Sequence, residues 1–331
     1  MVPPSASGET RRFTFRYAVR IGPLPAGSVH VFIPVAKTSD RQIVHELTIA
    51  TPIDGNLEVE EQHGNQFWHG AVVSTEGQSF DLRFDYDVTR IPFQKRGFGM
   101  PKEEASASEQ EASRQYLAPS PSVPVGDPVL APIVHEVRRK LGPGQSRAQV
   151  ARGIFDWVVD NMTYKKVGSG WGHGDTFWAC SERYGNCTDF HSLFISLART
   201  ESIPARFDIG FPVPMDRSGG EVSGYHCWLN FFLPVIGWVP LDASQAHQYP
   251  DRRNQLYGAQ PADRLHFTTG RALQLGADQK SGALNYFIYP LVEVDGERFT
   301  GAMDTRFSYR DTKAIGFKAT VAASVAKPLP I

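Results

Sequence analysis

The apolar residues of this chain change their period partway along it, and that change limits the fold more than any single motif. Phe13, Phe15, Tyr17, Val19 and Ile21 alternate with Thr14, Arg16, Ala18 and Arg20, and Phe80, Leu82, Phe84, Tyr86 and Val88 repeat the pattern. A period of two puts one set of side chains on one face of a half-buried strand. Apolar runs at 29–33, 44–49 and 67–73, separated by turn-rich pieces such as Asp54-Gly55-Asn56, add further strands. Residues 1–93 therefore read as an N-terminal β-sandwich-like module.

From residue 128 the period lengthens toward 3.6. Residues 128–141 read as a helix closed by Gly142-Pro143-Gly144, and Ser146 with Gln149 makes a capping box for the next. Val150, Ile154, Trp157, Val158 and Met162 fall on one side of that second helix. After a glycine- and tryptophan-rich loop at 168–184, a third helix is expected near Cys187, with Phe190, Leu193, Phe194, Leu197 and Ala198 as its buried stripe. Strands are expected at 206–210, 226–233 and 238–240, and again at 285–294, 298–300 and 307–309 around a turn at Asp295-Gly296. Between the two regimes, residues 94–127 are rich in Ala, Ser, Glu, Gln and Pro, and supply little apolar surface to offset chain ordering. They are read as a linker, with a short helix allowed at 103–115. The fold class is α+β: a catalytic domain at 128–331, with core motifs at 128–245 and C-terminal strands at 262–331 expected to complete its sheet.

Charge narrows the partners. With 34 basic and 35 acidic side chains the net charge is −1, and the basic runs are short, which argues against nucleic acid. No stretch reaches the roughly 18 apolar residues of a membrane span. The first twelve residues lack the apolar core of a signal peptide; a periplasmic or secreted location stays open if such a segment has been removed. Three cysteines make no disulfide framework. If Cys187 is catalytic it must be free, which leaves Cys180–Cys227 as the one compatible pair, and three thiols are expected.

Cys187 lies in Gly185-Asn186-Cys187-Thr188-Asp189-Phe190, where turn-prone residues lead into a helix. Free amides and the positive end of the dipole at a helix N-terminus stabilise a thiolate and can face an oxyanion. A cysteine beside an apolar helix is also a common core filler. His226, in Tyr225-His226-Cys227-Trp228, shares a strand face with Trp228, while Cys227 and Leu229 take the other. It is placed to take the thiol proton, or to sit satisfied in a core. Asp242 ends the short strand Trp238-Val239-Pro240-Leu241 and can orient an imidazole, or simply form a turn.

Taken together, the segment from Gly185 to Phe194, then Arg199, Ile203-Pro204-Ala205-Arg206, Tyr225-His226-Cys227-Trp228 and Trp238 to Ser244 resemble the transglutaminase-like superfamily, of the papain-related type. The resemblance covers roughly 128–245. It implies that Cys187 is the nucleophile, His226 the general base and Asp242 its orienter. It also implies an extra oxyanion donor near the nucleophile, for which Trp171 and Trp178 are candidates; both could equally shape the cleft, and Tyr225 could border the pocket. Asp189 is expected to cap the helix.

No cofactor or metal is called for. His173, Asp175, Cys180, Cys187 and His191 cluster in sequence, yet no metal-ligand spacing appears among them. The expected activity is thiol-dependent amide hydrolysis of a peptide or protein through an acyl-enzyme thioester. A primary-amine acceptor would make it a transglutaminase. The rival is a non-catalytic protein- or peptide-binding chain that keeps the fold, its cleft plugged or gated by the proline- and glycine-rich loop at 212–220.

Overall fold

A computed structural model describes residues 8–95 and 105–312. Residues 96–104 of the expected linker and 313–331 of the expected catalytic domain lie outside the described residues. The alternation that opens the sequence is the inner face of the strand Arg11–Leu24, whose odd-numbered side chains are buried as far as Ile21. It pairs antiparallel with Gln78–Arg90 on one side and Met303–Asp311 on the other. Gln42–Ala50 and Gly219–Val222 form the two edges of this five-stranded sheet. A second five-stranded sheet centres on Gly27–Val35, flanked by Gln66–Ser74 and Leu291–Val294, with Gly55–Val59 and Glu297–Arg298 outside them.

Two expectations need correction. Among the described residues of 262–331, only Arg264–Thr269 joins the sheet that carries the site; Leu291–Val294 and Met303–Asp311 return to the N-terminal sheets. Apolar alternation shows that a segment is a strand but not which partner it takes. The choice follows from register and open edges. Phe15 lies opposite Tyr309 and Tyr17 opposite Phe307, so the returning strand adds its aromatics to the buried face. Nor do the N-terminal strands enclose a separate core. Phe15 packs on Phe211 and Phe267 with ring centroids 5.4 and 6.0 Å away, and Tyr17 on Phe307 at 4.8 Å. Trp68 of the second sheet meets Phe84 of the first at 5.9 Å. One continuous apolar cluster runs from these strands into the helices.

The site-bearing sheet is antiparallel, in the order Gly237–Leu241, His226–Leu233, Ala205–Pro212, Arg264–Thr269. Against it lies the helix Cys187–Thr200, its Phe190, Leu193, Phe194 and Leu197 fully buried, with Phe194 against Phe231 at 6.1 Å. The helix Arg147–Asn161 begins with the Ser146–Gln149 capping box, and Ala131–Leu141 stops at Gly142 with φ of 78°. In the linker, Ser106 and Glu109 cap the helix Ala107–Arg114, and Tyr116 is buried edge-on to Trp238 at 5.0 Å. That segment is packed.

Because sandwich and site share one core, Phe267→Ala is expected to cost about 3–5 kcal/mol. Urea unfolding followed by far-UV and aromatic signals should give one coincident transition. Two separated transitions would show that the N-terminal sheets fold as an independent unit.

Candidate active site

The helix Cys187–Thr200 is started by Asn186, whose side chain accepts from the Thr188 N–H at 2.8 Å while Asp189 accepts from the Asn186 N–H at 2.8 Å. Asp189 also holds the upstream loop, accepting from Gly172 N at 2.7 Å and Gly174 N at 3.0 Å. A side chain at residue 185 would overlap the Asp189 carboxylate, so glycine is required there. Tyr225 bolts the helix start to the next strand: its hydroxyl lies 3.0 Å from both Asn186 Nδ2 and Thr188 Oγ1. These contacts place Cys187, 3% exposed, beside the first residue of the strand His226–Leu233.

His226 stands next to the Cys187 thiol, close enough for each to shift the other's ionisation, and its Nε2 lies 2.6 Å from Asp242 Oδ2. With Nε2 taken by the carboxylate, Nδ1 is left for sulfur. Asp242 is the N-cap of the helix Ala243–Gln248, and its Oδ1 accepts from Ser244 Oγ and Gln245 N, both at 2.9 Å. Arg264 Nη1, buried, donates to Oδ2 at 3.2 Å. Its guanidinium lies 5.1 Å from the Trp228 ring centre, on the His226 face of the strand.

The electrostatics follow from these contacts. Burial disfavours a charged His226, but the Asp242 carboxylate overrides it and raises the imidazole to about 9. Burial likewise opposes ionisation of Cys187, yet the neighbouring Cys227 thiol and the His226 imidazole hold the thiol well below its usual value. For Asp242 the burial penalty is outweighed chiefly by the His226 imidazole, keeping the carboxyl well below the usual range. The arrangement favours a thiolate–imidazolium pair at neutral pH.

A cleft of ≈ 320 Å³ opens at His226, lined among others by Tyr164, Val222, Tyr225, Gln245 and Arg264. A larger hollow of ≈ 1140 Å³ covers the outer face of the Arg11–Leu24 sheet, where several lining charges are already paired, as in Arg16 with Asp85 at 2.6 Å. The loop expected as a lid or plug is instead one wall of the cleft. Arg11 donates to Val213 O at 2.6 Å and Pro214 O at 2.7 Å while paired with Asp311 at 2.8 Å. The Tyr309 hydroxyl adds bonds to Pro214 O and Arg217 O at 2.8 and 3.0 Å.

Neither tryptophan offers its N–H to the sulfur. The Trp171 indole donates to Gly168 O at 2.9 Å and the Trp178 indole to Tyr184 O at 3.1 Å, so the oxyanion candidacy of both is withdrawn in favour of loop packing. Trp178 sits on the helix Thr176–Glu182, inside what the composition presents as loop. Arg264 reaches Asp242 from the far edge of the sheet with no sequence motif around it to mark the contact. Nor does any spacing in the sequence single out Cys227, whose sulfur lies 3.4 Å from His191 Nδ1 and 3.8 Å from Thr188 Oγ1. All three cysteines are free. His191 turns toward Cys227 and the Ala243 amide. Among the described residues, no group of three or more His, Cys, Asp and Glu side chains is placed to hold a metal ion, and no helix is long and apolar enough to cross a membrane.

Residues 135–243 match the model of the transglutaminase-like superfamily. A crystal structure of a proposed cysteine protease from Cytophaga hutchinsonii superposes with a TM-score of 0.60 at 18% identity, covering 93% of this chain and 94% of that one. Over 229 residues the chain is 27% identical to an uncharacterised protein of Haemophilus influenzae, across 59% of this chain and 61% of that relative's length. The periplasmic domain of TgpA from Pseudomonas aeruginosa aligns at a TM-score of 0.36 and 15% identity, covering 77% of this chain and 96% of that one. The fold is transglutaminase-like: a nucleophile-type helix against an antiparallel sheet, joined to an N-terminal sandwich.

A free thiol loses alkylation rate about tenfold per pH unit below its pKa near 8.5. Cys187, ionised by its neighbours, should react with iodoacetamide at a nearly constant rate through neutral pH, as read by mass spectrometry. Asp242→Asn removes the charge that raises His226, so the upper limit of the ion pair should move down from about 9. A steep Cys187 profile like that of Cys180 would contradict the pairing. Separately, Arg11→Met should make hydrogen exchange across 213–222 faster by at least about tenfold, since each lost charged hydrogen bond contributes about 1.5–3 kcal/mol.

Proposed function

We propose that this chain, on its transglutaminase-like fold, is a thiol-dependent amide hydrolase acting on peptide or protein substrates, with Cys187 as nucleophile. The observation that carries the reading is His226, set beside Cys187, with its Nε2 2.6 Å from Asp242 and its ring in the lining of a cleft. In this reading the Cys187 thiolate attacks the carbonyl carbon. Of the first-turn amides, Thr188 and Asp189 donate to the Asn186 side chain and Phe190 to the Asn186 carbonyl, which leaves the Cys187 N–H for the oxyanion. Protonated His226 gives its proton to the departing amine, and a thioester remains on Cys187. Asp242 stays ionised and holds the ring. Water, activated by the now neutral His226, releases the acid. Water competes at every such thioester, and a primary amine entering the same position would give transamidation instead.

Two arms of one experiment test this. Incubation with a mixed peptide library should yield new termini, and Cys187→Ala should remove that turnover by about 10⁴-fold. Added primary amine should leave the products as free acids. Amine adducts would replace the hydrolase by a transglutaminase. Intact peptides together with an unacylated Cys187 would favour the non-catalytic binding protein.

A further inference from the structure

Cys227 is the second residue of the strand that begins with His226, and the hydrolytic cycle has no use for it. It is fully buried, and its thiol is near enough to that of Cys187 for each to perturb the other's ionisation. Its sulfur also lies 3.4 Å from His191 Nδ1 and 3.8 Å from Thr188 Oγ1. His191 Nε2 accepts from the Ala243 N–H at 3.2 Å, so the ring proton sits on Nδ1 and points at the Cys227 sulfur. A filler cysteine would be surrounded by carbon. This one has a second thiol, an imidazole N–H and a hydroxyl around its sulfur, all buried. Cys180, by contrast, sits on the Thr176–Glu182 helix with a thiol that burial raises to about 11.

We propose that Cys227 is a resolving cysteine, which converts hydroperoxide oxidation of Cys187 into a reversible Cys187–Cys227 disulfide that switches the site off. The Cys187 thiolate attacks one peroxide oxygen and the O–O bond breaks. The sulfur loses two electrons and becomes a sulfenic acid; the other oxygen leaves as an alcohol or water, taking its proton from His226. Cys227 then bonds to the Cys187 sulfur and expels hydroxide, which carries off the Cys227 proton as water. Burial raises the Cys227 thiol well above its usual value, so it stays protonated, and inert to peroxide itself, until the sulfenic acid forms. A dithiol reverses the step by thiol–disulfide exchange, being oxidised as the bridge is reduced. The bridge blocks the nucleophile without exposing it to irreversible oxidation. It also revises the pairing allowed by sequence, since the compatible partner of Cys227 is Cys187 itself.

This inference rests on the reading of Cys187 as an activated nucleophile, and the test separates the two. Reduced protein is exposed to a few equivalents of hydrogen peroxide, quenched with N-ethylmaleimide, digested without reductant and mapped by mass spectrometry. The expected product is a peptide pair linked through Cys187 and Cys227, lighter by two hydrogens, in both the wild type and Cys180→Ala. Dithiothreitol should restore iodoacetamide labelling of Cys187. In Cys227→Ala the link should vanish, and Cys187 should accumulate two oxygens as a sulfinic acid that dithiothreitol does not rescue. The proposal is overturned if wild-type Cys187 reaches the sulfinic state without a Cys227 link, or if the link runs to Cys180. Labelling of reduced Cys187 reports the nucleophile independently, so fast labelling with no disulfide removes the switch alone.

Discussion

The carboxylate of Asp242 organises the centre of this molecule. It is almost fully buried, which would be costly for an unpaired charge. Here its oxygens take the imidazole of His226, the guanidinium of Arg264, the Ser244 hydroxyl and the Gln245 amide. Each of these donors comes with an element attached. His226 brings the start of the central strand, Arg264 the far edge of the sheet, and Gln245 the first turn of the helix Ala243–Gln248. A single anion therefore sets the spacing between strand, helix and thiol, and also raises the imidazole that faces the sulfur. Loss of the anion would leave the buried imidazole without its carboxylate and the buried guanidinium with Asp263 alone as counter-charge, so structure and chemistry are coupled at this point.

The second organising feature is aromatic. Phe15 and Tyr17 of the first strand meet Phe211 and Phe267 of the site-bearing sheet, which makes the sandwich a support for the cleft. The support reaches the cleft wall directly. Residues 213–222 leave the Ala205–Pro212 strand, are held by Arg11 and Tyr309, join the edge of the sandwich sheet as Gly219–Val222, and deliver the chain to Tyr225 and His226. A segment rich in proline and glycine has little structure of its own to offer. Its conformation is imposed by carbonyls that buried donors satisfy. The N-terminal module thus shapes what can approach His226 without contributing a group to the triad-like arrangement.

Much of this was legible in the residues. The strands around Phe13 and Phe80, the Ser146–Gln149 cap and the helix beginning at Cys187 are local events, driven by periodicity and by side chains that bond their own backbone. The short helices at 176–182 and 243–248 were not legible. Each begins at an aspartate, Asp175 or Asp242, that reads equally well as a turn former, and each lasts only two turns or less. The two tryptophans failed as oxyanion donors for a related reason. Their position near Cys187 in sequence says nothing about where an indole N–H points, and nearby carbonyls claimed both.

Periods, caps and the residue types standing where a nucleophile, a base and an orienting acid could meet are readable from the residues alone, because those depend on neighbours within a few residues. Only the tertiary structure decided that Met303–Asp311 closes against Arg11–Leu24, that Arg264 braces Asp242 from 22 positions away, and that Cys227 lies against Cys187. Those pairings join segments far apart in the chain. Strand alternation constrains which face a side chain takes but not which strand lies alongside, and a guanidinium or thiol carries no local mark of its partner. They are set when the aromatic core closes and the buried charges must find one another.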